Sequence, residues 1–157
     1  MANAGARPDE RRITPHLIVR GSAEAVEFYQ RAFGAVVLYR SPMPDGKGVH
    51  AQLRICDSVL MITEESTAHP QMTMRSPRTF GGSTTILELY VDDVDAAYER
   101  LVAAGARPIL PPTDTFFGDR YGQAEDPFGH VWALATVREV LTPEEVAARM
   151  AQAHEGG

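Results

Sequence analysis

The sequence is poor in cysteine. Cys56 stands alone among 157 residues, so no disulfide can form within the chain and the fold must rest on its core. A reducing cytoplasm is the simplest compartment for such a chain. Cys56 also has no cation beside it in sequence to favour a thiolate, so it reads as unreactive. Long apolar runs are missing as well. No stretch approaches the roughly 20 residues that span a bilayer, and Met1-Ala2-Asn3-Ala4-Gly5 has no apolar centre of the kind a secretory leader needs. Excess positive charge is absent: 15 Lys and Arg face 21 Asp and Glu, for a net charge of −6. That balance argues against a nucleic-acid partner and against attraction to an anionic membrane. The one basic cluster, Arg7, Arg11 and Arg12, falls in a polar segment at residues 1–12 that is expected to be a disordered, solvated tail.

What is present suits a folded domain of ordinary composition, with 44% apolar and 23% charged residues. Residues 13–19, ITPHLIV, alternate as a strand, with Pro15 placing it at an edge or a bend. Ser22 is expected to cap a helix to about Phe33, whose apolar stripe is Ala25, Val26, Phe28, Tyr29, Ala32 and Phe33. Gly34 suits the left-handed residue past its end. Strands follow at residues 36–40, 49–55 and 59–63, then a long loop over 64–83.

The pattern then recurs. A strand at 85–91 leads through Asp92-Asp93 to a helix with the stripe Val94, Ala97, Tyr98, Leu101 and Val102, ending at Gly105 as the first ends at Gly34. Residues 108–110 form a short strand, 111–123 an aromatic loop, and 131–137 a last strand after the turn Asp126-Pro127-Phe128-Gly129. Two copies of a strand–helix–strand–strand–strand unit give an α+β chain of two tandem βαβββ modules, at 13–65 and 84–138, joined by a loop over 66–83. Thr142-Pro143-Glu144-Glu145 is a capping box opening a C-terminal helix over 141–154.

A tandem βαβββ repeat ending in Asp126-Pro127-Phe128-Gly129-His130-Val131-Trp132 resembles the vicinal oxygen chelate superfamily, which holds glyoxalase, bleomycin resistance and dioxygenase proteins. Pro15-His16-Leu17, Glu27-Phe28-Tyr29, Ala32-Phe33-Gly34-Ala35 and Gly118-Asp119-Arg120 resemble its PhnB-like branch. The resemblance implies a cupped sheet, a homodimer and a small-molecule ligand. In the metal-dependent members four strand positions supply ligands, and these carry over onto Thr14, His50 or Gln52, Ile86 and Ala133. Isoleucine and alanine coordinate nothing, so no metal or other cofactor is expected. The alternative is a displaced set of His16, His50 and Glu88 holding Ni, Zn, Mn or Fe in a lyase, isomerase or dioxygenase, because a two-residue step along a strand keeps the same face.

Each candidate has a plainer reading beside it. His16 and Glu88 form a catalytic acid/base pair, or simply satisfy one another as buried polar groups. His16, His50, Gln52 and Glu88 are the polar ligand-binding candidates. Phe116, Phe117 and Tyr121 are candidates for an aromatic wall, and Trp132 for core. Asp119-Arg120 reads as a loop-bracing ion pair or a substrate clamp, with Arg120 kept as a binding candidate. His130 is expected to bond backbone at its turn. His69 and His154 have no evident partner in sequence. The expected function is binding of a small organic molecule in a partly aromatic cavity.

Overall fold

The structure is a computed structural model that describes residues 13–68, 71–72 and 74–155. The expected N-terminal tail, His69 and the side chain of His154 lie outside the described residues. The chain forms two compact units, one of residues up to Thr84 together with Pro127–His130, the other of Thr85–Asp126 and the chain from Val131 onward.

The first unit runs β1 (His16–Val19), α1 (Ser22–Phe33), β2 (Val36–Pro42), β3 (Val49–Ile55), β4 (Ser58–Glu64) and the four-residue α2 (Pro77–Phe80). Its sheet has the order β1-β4-β3-β2, with β1 parallel to β4 and the other pairs antiparallel. The stripe of α1 is only partly covered at Phe33, its end, but is buried as its spacing predicts at Ala25, Val26, Phe28, Tyr29 and Ala32. They pack with Leu17, Val19, Ala51, Leu53 and Ile62 as the core of this unit.

Ser22 does not cap α1. The cap residue is Gly21, in the left-handed region at φ 85°, and it has no side chain to offer. The Glu64 carboxylate, arriving from β4, accepts from Gly21 N at 3.0 Å and Ser22 N at 2.6 Å instead. Ser22 turns its hydroxyl to accept from Val49 N at 2.7 Å.

The loop after β4 is held by Glu65. Its carboxylate accepts from Ser76 N at 2.6 Å and pairs with Arg20 at 3.1 Å. Burial raises the Glu65 pKa, but hydrogen bonds from Thr79, Ser76 and Arg20 outweigh that and bring it down to about 2. Phe128, from the turn before β8, packs its ring on Phe28 with centroids 5.9 Å apart. His130 follows it and its Nε2 lies 3.1 Å from the Ile18 carbonyl oxygen, the backbone contact expected of it.

The second unit repeats the order with β5 (Ile86–Tyr90), α3 (Val94–Ala103), β6 (Arg107–Asp114), β7 (Asp119–Glu125) and β8 (Val131–Val137) in a sheet β5-β8-β7-β6. The C-terminal α4 (Pro143–Glu155) opens with the reciprocal bonds of a capping box, Thr142 N to Glu145 Oε2 at 2.8 Å and Glu145 N to Thr142 Oγ1 at 3.3 Å. Trp132 is 4% exposed and donates to the Asp126 carboxylate at 3.0 Å, as a core residue.

One expectation fails here. Residues 111–123 form no long loop: β6 and β7 make a hairpin whose turn is only Thr115–Gly118. Pro108, Pro111 and Pro112 sit on β6 because it is an edge strand with two register shifts, where missing donors leave no gap in a ladder.

Candidate functional site

In each unit the helix covers one face of its sheet, and strand alternation sends every second side chain to the opposite, helix-free face. Register aligns these side chains in rows. Across the first sheet they are His16–Met61–Gln52–Tyr39 and Ile18–Thr63–His50–Ser41. Across the second they are Glu88–Ala133–Gln123–Leu110 and Tyr90–Ala135–Tyr121–Thr113. The two pairs of rows correspond position by position, so the repeat places His16 with Glu88, His50 with Tyr121, and Gln52 with Gln123.

The first face is organised by Thr63, which is 4% exposed. Its hydroxyl lies 2.6 Å from His16 Nε2 and 2.7 Å from His50 Nδ1, so one oxygen serves two imidazoles. The rings meet edge to face with centroids 5.7 Å apart, and Tyr39 tilts against His50 at 6.0 Å. Burial lowers the His16 pKa, and the nearby His50 lowers it further. Beside them the Gln52 side-chain nitrogen is buried without a hydrogen-bond partner. A buried amide donor left unmatched is costly.

The second face is arranged differently. Gln123 Nε2 donates to the Tyr121 hydroxyl at 2.6 Å, and Tyr121 continues into an aromatic strip with Phe117 at 6.2 Å and Phe116 beyond it at 5.3 Å. Tyr90 donates to Asp119 Oδ2 at 3.2 Å. Burial, the Asp119 and Glu88 charges and their hydrogen bonds push the Tyr90 pKa up to about 12. Tyr90 therefore stays protonated through the physiological range.

Arg120 lies on the helix side of its sheet, where both nitrogens of its fork grip Asp95 on α3 at 2.7 and 2.8 Å and a third bond reaches Asp114. Asp119 and Arg120 thus brace different neighbours rather than each other. A surface cleft of about 560 Å³ is lined by Arg120, Arg138, Arg149, Asp114 and Glu139. Its cations already have carboxylates: Arg149 pairs with Glu139 at 2.7 Å and Arg138 approaches Asp95 at 4.0 Å.

The sequence singled out His16, His50, Gln52, Tyr121 and Glu88. The structure brings the first three onto one face, and sets Tyr121 and Glu88 on the helix-free face of the other sheet. It shows His16 bonded to Thr63 of its own sheet. Thr63 and Tyr39 were not candidates, and the signal that finds them is the register of β3, since both flank His50 and Gln52 in the rows.

The donor set of the metal-dependent members is incomplete on these strands. Ala133 is fully buried and Ile86 is aliphatic, so two of the four positions carry no donor atom. Of the displaced set, His16 Nε2 and His50 Nδ1 are turned to Thr63. Among the described residues no three His, Cys, Asp or Glu side chains come together as a ligand group. The residues present do not fit a resident divalent ion.

Two four-stranded mixed sheets, each built by a βαβββ unit with its polar and aromatic groups on the helix-free face, define a glyoxalase-type fold. The family model of the Glyoxalase/Bleomycin resistance protein/Dioxygenase superfamily matches residues 12–134, and the chain belongs to that superfamily. An uncharacterized protein of Mycobacterium bovis is 43% identical over 144 residues, 89% of this chain and 93% of its own. The crystal structure of TioX from a Micromonospora species superposes with a TM-score of 0.62 at 26% identity, covering 82% of this chain and 99% of that one. The fosfomycin resistance protein FosX of Listeria monocytogenes, at 18% identity, has the same fold, with a TM-score of 0.61 over 87% of this chain and 98% of its own. Among the described residues, no helix is long and apolar enough to cross a membrane.

Proposed function

We propose that this protein binds a small organic molecule on the helix-free face of its first sheet, without a resident metal. The observation that carries the reading is the buried, unpartnered Gln52 amide nitrogen beside the His16–Thr63–His50 cluster. An unmatched buried donor gains from a ligand oxygen, which reaches it once the Gln52 side chain turns outward. Tyr39, 52% exposed and tilted on His50, supplies an adjacent aromatic surface. The strip of Phe117 and Tyr121 gives the second sheet a partly aromatic face of its own. The reading extends to a homodimer of the PhnB-like branch in a reducing cytoplasm, with no nucleic-acid or membrane partner. Its supports are the motifs quoted above, the single cysteine and the net charge of −6.

The test combines metal analysis with calorimetry. Protein purified without chelators is expected to carry no stoichiometric Ni, Zn, Mn or Fe. Aromatic amides and ketones are expected to bind the wild type and to lose at least tenfold in affinity in Gln52→Leu. Stoichiometric metal that disappears in both His50→Ala and Glu88→Ala would overturn the proposal. Trp132 is a poor reporter for this experiment, because it is buried with the core of the other unit.

A further inference from the structure

The four strands of the first sheet carry a single carboxylate, Glu64, and it turns to the helix side to cap α1. Glu65, just beyond β4, is held by Ser76 and Arg20. The helix-free face of this sheet therefore has no acidic strand residue. It does have a cation. Arg54 lies two residues after Gln52 on β3, so it shares that face, and it is exposed. Its neighbours across the ladders are Val59 and Val36, which offer no acceptor. Among the described residues Arg54 has no hydrogen bond or ion pair.

The repeat shows how the same position is satisfied in the other sheet. Glu125 corresponds to Arg54 in the rows and Arg107 to Val36, and Glu125 and Arg107 pair at 2.6 Å across their own ladder. In the first sheet the valine leaves the charge open. His16 adds no fixed charge to the face, because burial and the nearby His50 both lower its pKa.

We infer that Arg54 is a specificity-determining residue, and that the ligand of this face is a small aromatic anion whose carboxylate meets Arg54 while its ring lies on Tyr39. At a rise of about 3.4 Å per residue, Gln52 and Arg54 stand about 7 Å apart along β3. One carboxylate between them takes the guanidinium fork and, once the Gln52 side chain turns outward, the amide donor as well. Tyr39 faces Gln52 across the β2–β3 ladder, which sets an aromatic surface one strand away from the carboxylate. A carboxamide of the same shape makes only neutral bonds to the same groups, and these are weaker. The net charge of −6 does not oppose the anion at this range, since exposed charges are screened beyond about 8 Å at physiological salt. This ligand class rests on the binding function proposed above.

The test is a pair of amide chemical-shift titrations of the nitrogen-15-labelled full chain, with benzoate and with benzamide, at pH 8, above the usual imidazole range. The wild type is expected to bind benzoate about fivefold more tightly, the size of a good exposed ion pair, with the largest shifts on β2 and β3. Arg54→Gln is expected to bring the two probes to within about twofold by weakening benzoate alone. Its unchanged affinity for benzamide shows the face to be intact. Equal binding of the probes by the wild type, an undiminished preference in Arg54→Gln, or shifts centred on the second sheet overturns this ligand class and leaves the binding function standing. An equal fall for both probes in Arg54→Gln also overturns it, because that marks damage to the face rather than loss of a charge. If neither probe binds at about 10 mM, near the weak limit of specific recognition, the ligand class falls. The binding function loses support only if the wider panel of aromatic amides and ketones fails as well.

Discussion

The two sheets start from one plan and arrive at opposite solutions for the same glutamine. Gln52 and Gln123 hold corresponding positions, each two residues after a ring that can hydrogen-bond, His50 in one sheet and Tyr121 in the other. In the second sheet the residue facing Tyr121 across the ladder is Ala135, which offers nothing, so the phenol takes the glutamine amide at 2.6 Å. In the first sheet the residue facing His50 is Thr63, whose hydroxyl captures the imidazole at 2.7 Å and leaves the glutamine nitrogen unmatched. The residue on the last strand, a hydroxyl in one sheet and a methyl in the other, goes with a glutamine left unmatched in the first and bonded in the second. The comparison also explains why fold and function were unequally readable: the plan is shared, and the chemistry lies in the departures from it.

The largest way to break the symmetry of plan lies where the helices begin. α3 is capped locally, by Asp93 accepting from Ala96 N at 3.1 Å. α1 is capped from a distance, by the Glu64 carboxylate on two backbone donors. Loss of a local cap costs about 1 kcal/mol. Loss of two charge-assisted bonds in a half-buried place, leaving both donors unpaired, costs about 3 kcal/mol. Urea unfolding of Glu64→Ala and Asp93→Ala is expected to show that ratio. Equal midpoints in the two variants would mean that Glu64 caps nothing of consequence.

The next effect exchanges the strand residues that line the faces. Met61 and Ala133 correspond in the rows, but Ala133 is fully buried whereas Met61 is only partly so. Ala133→Met forces three heavy atoms into a filled position and is expected to cost about 2 kcal/mol by overpacking. Met61→Ala removes the same atoms from a half-open face and is expected to cost about 1 kcal/mol. Thermal unfolding decides between them. If Ala133→Met proves neutral, that position has room for a larger side chain, and the absence of a donor there loses its structural reason.

Much of the fold was legible in the sequence because its signals are local. The stripes of α1 and α3, the αL glycine at Gly34, the capping box at Thr142 and the alternation of β3 each depend on neighbours within a few residues. The failures share one cause, a partner far along the chain. Gly21 opens α1 only because Glu64, 42 residues beyond Ser22, supplies the cap. Pro111 and Pro112 read as loop, yet the edge position of β6 makes their missing donors harmless. The site divides the same way. His16, His50 and Gln52 share a face through strand period, which sequence shows. Thr63 becomes central only through the pairing of β3 with β4, and the register of that pairing is a property of the sheet. Arg120 was a binding candidate for its sequence neighbours, whereas its actual partner, Asp95, comes from α3.

The smallest effect sharpens the comparison at the turns that feed the last strand of each sheet. Before β8 the turn places Gly129 at φ 92°, where a side chain would also approach Pro77 Cβ to 3.0 Å. Before β4 the tight turn places Cys56 at φ 52°, the sole non-glycine residue with positive φ among those described. A side chain in the left-handed region costs roughly 1–2 kcal/mol, and glycine avoids this at some cost in unfolded-state entropy. Cys56 is exposed, so its thiol contributes no packing to set against the strain. Cys56→Gly is therefore expected to raise stability by about 0.5–1 kcal/mol, read as a higher urea midpoint at unchanged slope. Cys56→Val, β-branched and least tolerant of this backbone, is expected to lower it by more than the glycine gains. A destabilised Cys56→Gly would show that the turn's strain is balanced by a contact of the cysteine side chain, and that the two turns differ in more than backbone.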